Sequence, residues 1–377
     1  MKKVLRSSLY VVLMLAVGLV PDAWLWHVGV DEWPVPLKLL WWMPTALLLM
    51  AELGLQLGKF HQLSVRILFS MLLFSVVPKV AFILFYLFLP WFFALLPAMG
   101  LTGWFLYGFI KGWRRLQVKY VTYQSPDLPA YFDGYRLLHF SDFHLGTFPR
   151  DSRFVEEVVE RANREGCDMM LFTGDLVNND AEEVRPYFDA LRRLYAPDGI
   201  FSVWGNHDYC EYDNNHSLGA LRRNRRLLFG YQQQLGWHQL MNEHHTVEHG
   251  GAQIEIIGVE NAGHFPFSNR SNLKKAMKGI DKQTFKILLT HDPHHWRREV
   301  LKAGIQLTLS GHTHAGQLQV GKLTPARMAF REWGGSYKQG SQMLYVSAGL
   351  GGSFPFRLGT WPEMTVITLK REISTAY

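Results

Sequence analysis

The first 110 residues carry few charges, and this scarcity constrains what the chain can fold into. They contain 11 Asp, Glu, Lys and Arg residues, whereas the whole chain contains 71, the sum of 39 basic and 32 acidic residues. Long apolar runs fill the sequence between these charges. We therefore expect a transmembrane region over residues 1–115, followed by a separate soluble part with an ordinary charge content.

We predict about four transmembrane helices, with three as the alternative. A bilayer core needs roughly 20 apolar residues per helix, and only the second and third runs reach that length. No small-residue cleavage pattern follows the first run, so we expect it to be retained and not removed as a signal peptide. The predicted helices cover approximately residues 4–20, 37–57, 67–89 and 98–112.

The charges that flank these runs predict an orientation in the membrane. Residues 2–6 contain three basic side chains and residues 111–119 contain four, whereas the first loop carries acidic ones. Basic flanks lie preferentially on the cytoplasmic side. With four helices, both the N-terminus and the C-terminal domain would therefore lie in the cytoplasm, and the lipid bilayer is a predicted partner.

Beyond a predicted linker over residues 116–132, the pattern changes to that of a soluble α/β domain covering residues 133–372. Short β-prone runs alternate with amphipathic helical stretches, and several strands are apolar throughout. Five polar turns each follow one of these strands: "SDFHLG", "GDLVNN", "GNHDY", "THDP" and "GHTHAG". Because ligands bind at the carboxyl ends of strands in such folds, we expect the five turns to converge.

The side chains in these turns are suited to binding metal ions. Each turn alone also has a structural interpretation as a helix cap or a polar turn, but together they supply three oxygen ligands and four imidazoles. Such a set fits two divalent cations that share one carboxylate, and mixed ligation favours Mn, Fe, Zn or Co over Mg or Ca. The candidate ligands are Asp142, His144, Asp175, Asn206, His291, His312 and His314.

The order of these motifs resembles that of the calcineurin-like dinuclear metallophosphoesterase superfamily. The details "GHTHAGQ" and "PFRLGTWPEMTVITL" resemble its YkuE/YaeI-type branch, in which transmembrane helices often precede the domain. The resemblance implies a two-layer β-sandwich flanked by helices. It assigns one metal ion to Asp142, His144, Asp175 and His314, and the other to Asp175, Asn206, His291 and His312.

The resemblance also implies an activity, namely that of a membrane-anchored hydrolase that cleaves a phosphodiester, a pyrophosphate or a monoester. Attack by a hydroxide held between the two metal ions is the expected mechanism. His207 is the candidate that protonates the leaving oxygen or stabilises developing charge, and Asp208 is expected to orient its imidazole. Arg357 either contacts the substrate phosphate or forms a structural ion pair.

Two alternatives concern the substrate and the activity. Some relatives cleave UDP-diacylglucosamine at its pyrophosphate, so a lipid-linked substrate is one alternative. A non-catalytic membrane scaffold is another, although it would predict an incomplete set of ligands. We expect no nucleic-acid partner, because the basic residues occur in short groups and not on one broad face. The resemblance implies a location in the bacterial inner membrane.

Overall fold

A computed structural model describes the chain over residues 2–57, 61–148, 153–212, 217–263, 268–352 and 354–372. For residues 2–14, 61 and 62 the description covers the backbone only. The chain forms two compact units, which divide between Ile110 and Lys111.

The first unit is helical throughout its described length. Its helices are α1 (Lys2–Val28), α2 (Val35–Gln56), α3 (His61–Met71), α4 (Val77–Tyr86) and α5 (Trp91–Ile110). Three stretches are long and apolar enough to cross a membrane, namely Val35–Gln56, Leu63–Tyr86 and Trp91–Arg114. The segment Leu15–Val28 of α1 is apolar but shorter, so its role as a fourth membrane span stays a prediction.

Prolines account for two differences from the predicted helices. A π-helical turn over Leu72–Val76 joins α3 to α4 just before Pro78. Proline cannot donate to the helix ladder, which explains why the helix widens there. The last helix begins at Trp91 and not near residue 98, because its Pro97 is accommodated inside the helix.

An ion pair lies inside the first unit. The Lys79 ammonium lies 2.5 Å from the Asp22 carboxylate, whose side chain is fully buried. The Thr45 hydroxyl donates a hydrogen bond to the same carboxylate. Because Asp22 is charged, the sequence predicts a loop at this position, but helix α1 continues through it. These contacts tie α1, α2 and α4 together through polar side chains.

The second unit contains two six-stranded sheets, with strand orders β1-β12-β2-β3-β4-β5 and β10-β11-β9-β8-β7-β6. Its strands are β1 (Gln117–Ser125), β2 (Arg136–Phe140), β3 (Met169–Phe172), β4 (Ile200–Ser202), β5 (Trp237–Gln239), β6 (Glu243–His249), β7 (Ala252–Gly258), β8 (Phe285–Leu289), β9 (Leu307–Ser310), β10 (Gly335–Gln339), β11 (Gln342–Val346) and β12 (Glu363–Arg371). Its helices are α6 (Arg153–Arg164), α7 (Phe188–Leu191), α8 (Leu218–Gln234), α9 (Leu273–Ala276), α10 (His294–Arg298) and α11 (Ala326–Ala329).

The two sheets pack face to face, and helices cover their outer faces. Successive residues of a strand point to opposite faces, and in β2 Leu137 joins the core between the sheets, whereas Leu138 packs under the helices. Trp296 of α10 belongs to a third apolar cluster, on the outer face of the second sheet. The predicted α/β class and the two-layer sandwich flanked by helices are confirmed.

The segment predicted as a linker contains a strand instead. Strand β1 pairs in parallel with β12 along its whole length, from Gln117 opposite Glu363 to Ser125 opposite Arg371. In its second half, residues 121–125, burial alternates from one residue to the next, which is the pattern of a half-buried strand. The prolines that follow at positions 126 and 129 are typical of a linker, and they outweighed the strand pattern in the prediction for residues 116–132.

Candidate metal centre

The predicted ligand residues lie in five turns at one edge of the sandwich. Strands β2, β3 and β4 run parallel in the first sheet, and β8 and β9 run parallel in the second, so their carboxyl ends meet. In the order of those strands, the turns carry Asp142 and His144, then Asp175, then Asn206, then His291, and finally His312 and His314. Residues about 170 positions apart in sequence, such as Asp142 and His312, therefore come into contact.

One carboxylate oxygen lies between two groups of ligands. The Oδ2 atom of Asp175 is 3.0 Å from Nε2 of His291. The same oxygen is 3.6 Å from Nε2 of His144. Asp175 is therefore in the position of a bridging ligand, with one imidazole on each side.

The first group contains Asp142, His144 and His314, together with Asp175. Nε2 of His314 lies 3.5 Å from Oδ1 of Asp142, and the rings of His144 and His314 are 4.9 Å apart. The backbone amide of His312 donates to the Asp142 carboxylate at 3.0 Å. This amide links the turn after β9 to the turn after β2.

The second group contains Asp175, His291, His312 and Asn206. Nδ1 of His312 lies 3.2 Å from Nε2 of His291. Nδ1 of His291 donates to the Thr173 carbonyl at 2.7 Å, which leaves Nε2 as the nitrogen that faces the group. The side-chain amide of Asn206 donates to the Tyr212 hydroxyl at 2.7 Å, so its oxygen is the atom left to bind a cation.

Buried atoms at the centre fit a metal ion. Nε2 of His144 and Oδ1 of Asn206 are buried and have no hydrogen-bond partner among the described residues. Bonds of about 2.0–2.2 Å to a metal separate neighbouring ligand atoms by about 3–3.5 Å, which matches the measured spacings of 3.0 to 3.6 Å. Nitrogen and carboxylate ligands together suit Mn, Fe, Zn or Co.

Five of the seven ligand residues have an unusual backbone. Their φ angles lie between 50° and 72°, in the left-handed region. The residues are Asp142, His144, Asp175, His312 and His314. Such conformations cost about 1–3 kcal/mol each and persist where the surrounding structure enforces them. Here the surroundings are tight, because a Cβ atom on Gly205 would lie 2.2 Å from Oδ1 of Asp175.

Burial keeps most of the imidazoles neutral, which is the form that binds metal. Burial lowers the pKa of His144 to about 3, and burial followed by the Arg357 charge lowers the pKa of His314 well below its usual value. Burial alone would lower the pKa of His291, but the Asp175 carboxylate raises it to about 10. A proton and a metal ion therefore compete for Nε2 of His291.

The comparisons with known proteins agree with this geometry. Residues 135–316 match the family model of the calcineurin-like phosphoesterases. A metallophosphoesterase of Aquifex aeolicus (strain VF5) is 31% identical over 262 residues, which cover 68% of this chain and 92% of the relative. This chain is a calcineurin-like phosphoesterase. The predicted family and the predicted class of phosphoester hydrolase are confirmed.

Two further relatives of this phosphoesterase have similar identities. The metallophosphoesterase YkuE of Bacillus subtilis (strain 168) is 28% identical over 293 residues, which cover 75% of this chain and 96% of the relative. A Danio rerio protein named "Transmembrane protein with metallophosphoesterase domain" is 28% identical over 278 residues, which cover 71% of this chain and 60% of that protein.

His207 lies at the rim of the phosphoesterase centre. Its ring is 4.7 Å from the ring of His144 and 4.4 Å from the ring of Tyr212. Nδ1 lies 2.7 Å from the Asn178 carbonyl oxygen, and because a carbonyl only accepts, Nδ1 carries a proton. The half-buried ring therefore has Nε2 as its second site for a proton.

The predicted role of Asp208 as the residue that orients His207 is wrong. The Asn178 carbonyl holds the His207 ring, and the buried Asp208 carboxylate accepts hydrogen bonds from backbone amides instead. Its Oδ2 accepts from Asp175 at 2.7 Å and from Gly205 at 2.9 Å. Its Oδ1 accepts from Leu176 at 2.8 Å. Asp208 thus fixes the backbone that carries Asp175.

Both alternatives predicted for Arg357 are wrong. Its side chain is only 1% exposed, which excludes a contact with substrate phosphate, and its partners are backbone carbonyls, so it forms no structural ion pair among the described residues. Its guanidinium donates to the His314 carbonyl at 3.0 Å, and it also donates to the carbonyls of Gly349 and Gly351. Arg357 therefore braces the turn that carries His314. Burial lowers the pKa of Arg357 to about 10, although the Asp142 carboxylate opposes that shift.

Sequence reasoning missed two residues that position ligands. Asn178 contacts two histidines, because its side-chain oxygen lies 2.7 Å from Nδ1 of His144 and its carbonyl holds His207. Tyr212 accepts the hydrogen bond from Asn206. Asn178 could have been found from the sequence, since it lies in the turn "GDLVNN" after β3. Tyr212 lies beyond the turn "GNHDY", and nothing in the sequence pointed to it.

Proposed function

We propose that this protein is a membrane-anchored phosphoesterase that uses two divalent metal ions to hydrolyse a phosphodiester, a pyrophosphate or a monoester. The observation that carries the proposal is the position of Asp175, whose Oδ2 lies 3.0 Å from His291 on one side and 3.6 Å from His144 on the other. A single carboxylate between two imidazole groups can bridge a pair of cations of the kind that two-metal hydrolases use.

The two sets of metal ligands proposed from the sequence lie on either side of the Asp175 carboxylate and share it. One ion would be held by Asp142, His144, Asp175 and His314, and the other by Asp175, Asn206, His291 and His312. When bound, two such ions supply an activated water molecule and stabilise the charge that develops on the phosphoryl oxygens. Mn, Fe, Zn and Co are the candidates, because the ligands mix nitrogen with oxygen.

His207 is the residue proposed to transfer a proton to the leaving oxygen of the substrate. The Asn178 carbonyl fixes Nδ1 as a donor, so the ring delivers or accepts a proton at Nε2. The backbone amide of His207 donates to Oδ1 of Asp175 at 2.8 Å, which ties the ring to the ligand carboxylate. In the proposed reaction the protonated ring donates to the leaving oxygen.

Three apolar stretches long enough to span a bilayer support the proposed membrane anchor. The name of the Danio rerio relative supports it as well. We infer a bacterial inner-membrane protein whose catalytic domain faces the cytoplasm, on the basis of the basic residues that flank the apolar region. An anchored enzyme meets lipid substrates readily, so a lipid-linked phosphoester, such as a UDP-diacylglucosamine-like pyrophosphate, is a candidate substrate.

The test is metal-dependent turnover by the full-length protein in detergent. After metal removal, Mn²⁺ is added back and hydrolysis of bis-p-nitrophenyl phosphate is followed, with Asp175→Asn as the matched control. We expect turnover that needs the metal and is absent in the control. Metal-independent turnover would contradict the proposal. No turnover on any diester, pyrophosphate or monoester would also contradict it and would favour a non-catalytic scaffold.

A further inference from the structure

The segment after the last ligand turn exposes apolar side chains to solvent. We call residues 318–331 the rim loop. Within it, Leu323 is 72% exposed, Met328 is 92% exposed and Val320 is 49% exposed. Of the described residues from Lys111 onward, only two other aliphatic side chains, Leu218 and Leu227, are counted among the exposed large hydrophobic residues. Apolar exposure is therefore concentrated in the rim loop.

The exposed charges of the rim loop all have one sign. Lys322, Arg327 and Arg331 are exposed, and the loop contains no Asp or Glu. The acidic residue that follows it, Glu332, is 4% exposed and lies 2.6 Å from Nε of Arg297 and 3.7 Å from Nε of Arg331, so its charge is paired within the protein. Basic and apolar side chains interleaved in this way are typical of segments that lie on an anionic lipid surface.

The rim loop is attached directly to the metal centre. The ring of Phe330 lies 5.5 Å from the ring of His312. The hydroxyl of Thr324 donates to the Ala315 carbonyl at 2.6 Å. At the other end, the Thr313 hydroxyl donates to the Trp333 carbonyl at 2.6 Å. Any surface that contacts the loop is therefore held beside the turn that carries His312 and His314.

We propose that the rim loop lies on the surface of an anionic bilayer and presents the metal centre to phosphoesters whose apolar part stays in that bilayer. This inference rests on the proposed function, because it names the substrate class of the same site. Leu323 and Met328 enter the lipid interface, where burial of their apolar surface is favourable. Lys322, Arg327 and Arg331 contact anionic headgroups, to which basic side chains are attracted.

Contact with lipid is tested by fluorescence quenching. Both native cysteines are buried. A thiol-reactive bimane label therefore reacts with a cysteine introduced at the surface and not with the native ones. We compare Met328→Cys with Tyr195→Cys, which replaces a side chain that is 70% exposed in the loop before β4, at the opposite end of that strand from Asn206. Each full-length variant is reconstituted into phosphatidylcholine liposomes containing doxyl lipid, with and without phosphatidylglycerol.

We expect the label at position 328 to lose fluorescence in liposomes that contain phosphatidylglycerol and to lose less without it. Adding Lys322→Gln, Arg327→Gln and Arg331→Gln should reduce that loss, and the label at position 195 should stay bright. Equal quenching at positions 328 and 195, whatever the lipid, would overturn the contact. Because doxyl lipid is present in both leaflets, the result does not depend on the orientation of the protein in the liposome.

The role in substrate delivery is tested with two diesters that share a leaving group, methyl p-nitrophenyl phosphate and hexadecyl p-nitrophenyl phosphate. The double variant Leu323→Asp, Met328→Asp should lower the rate on the hexadecyl diester in liposomes by about tenfold or more, because two apolar side chains lose their burial and the loss of one alone corresponds to about tenfold. Its rate on the methyl diester should be unchanged.

The two diesters separate the two proposals. An equal rate of the double variant and the parent on the hexadecyl diester would overturn the delivery role. If the parent protein with Mn²⁺ hydrolysed neither diester, nor any pyrophosphate or monoester, the proposed function would fail. The lipid contact would then still be decided by the quenching measurement alone. A double variant that lost both activities equally would indicate damage to the centre and would also contradict the delivery role.

Discussion

Oδ2 of Asp208 accepts a hydrogen bond from the backbone amide of Asp175 at 2.7 Å. The same carboxylate also accepts from Leu176 and Gly205, so two of the five turns at the centre are joined through it. Burial and then the nearby Asp175 charge raise the pKa of Asp208. A carboxylate held in that environment acts on the backbone beneath the metal ligands and not on the His207 ring.

This relationship predicts that Asp208→Asn destabilises the domain. The amide side chain has only one acceptor oxygen, so at least one buried N–H loses its partner, at a cost of about 1–3 kcal/mol. Thermal unfolding of the full-length protein measures the loss, and metal content should fall with it. An Asp208→Asn protein with unchanged stability and metal content but a slow rate would instead restore the role of orienting His207.

Replacing His207 should affect chemistry and leave the metal ions in place. The His207→Ala variant lacks the Nε2 atom proposed to deliver the proton, and its kcat should fall by about 10²–10⁴-fold, the usual contribution of a general acid. Metal content, measured on the same samples by elemental analysis, should match that of the parent. Full rate in the variant would exclude the proposed proton transfer.

Tyr212→Phe should weaken metal binding. The variant lacks the hydroxyl that accepts from Asn206, so the Asn206 oxygen is no longer held toward the centre. Loss of such a supporting partner lowers metal affinity by about 10–100-fold. Competition with a chelator measures the affinity, and Tyr209→Phe is the matched control, because its buried hydroxyl contacts Glu260 instead. Equal affinities in the two variants would contradict the positioning role.

Gly311→Ala should disturb the centre through size alone. The added Cβ would lie 2.0 Å from Oγ of Ser141 and 2.1 Å from Oδ2 of Asp142, so the ligand carboxylate must move. We expect loss of metal and activity, with destabilisation of about 1–3 kcal/mol from overpacking. Gly230→Ala in α8 is the control, because its Cβ meets nothing within 4 Å. A fully active Gly311→Ala protein would show that Asp142 tolerates displacement.

The sequence predicted the site best where metal-binding side chains lie in a turn directly after a strand. The seven candidate ligands could be placed together because parallel strands end at one edge, a rule that needs only an apolar run and the polar turn after it. The sandwich and its flanking helices came from the resemblance carried by those same turns.

What the sequence could not predict depends on contacts between distant segments. Whether a carboxylate such as Asp208 faces an imidazole or a set of amides depends on where a second turn lies, and so does the burial of Arg357. The left-handed backbone at His144 and His314 had no local signal, since histidine is not a residue that requires it. Asp22 resembled a loop residue because its partner Lys79 is 57 positions away.

The central claim is that two metal ions share Asp175, and metal stoichiometry tests it most directly. Elemental analysis of the active full-length protein should find about two ions per chain, and Asp175→Asn should lose most of that metal together with its activity, since both ligand groups depend on one carboxylate. A fully active protein with a single ion per chain, or an Asp175→Asn variant that retains both ions and its activity, would contradict the account.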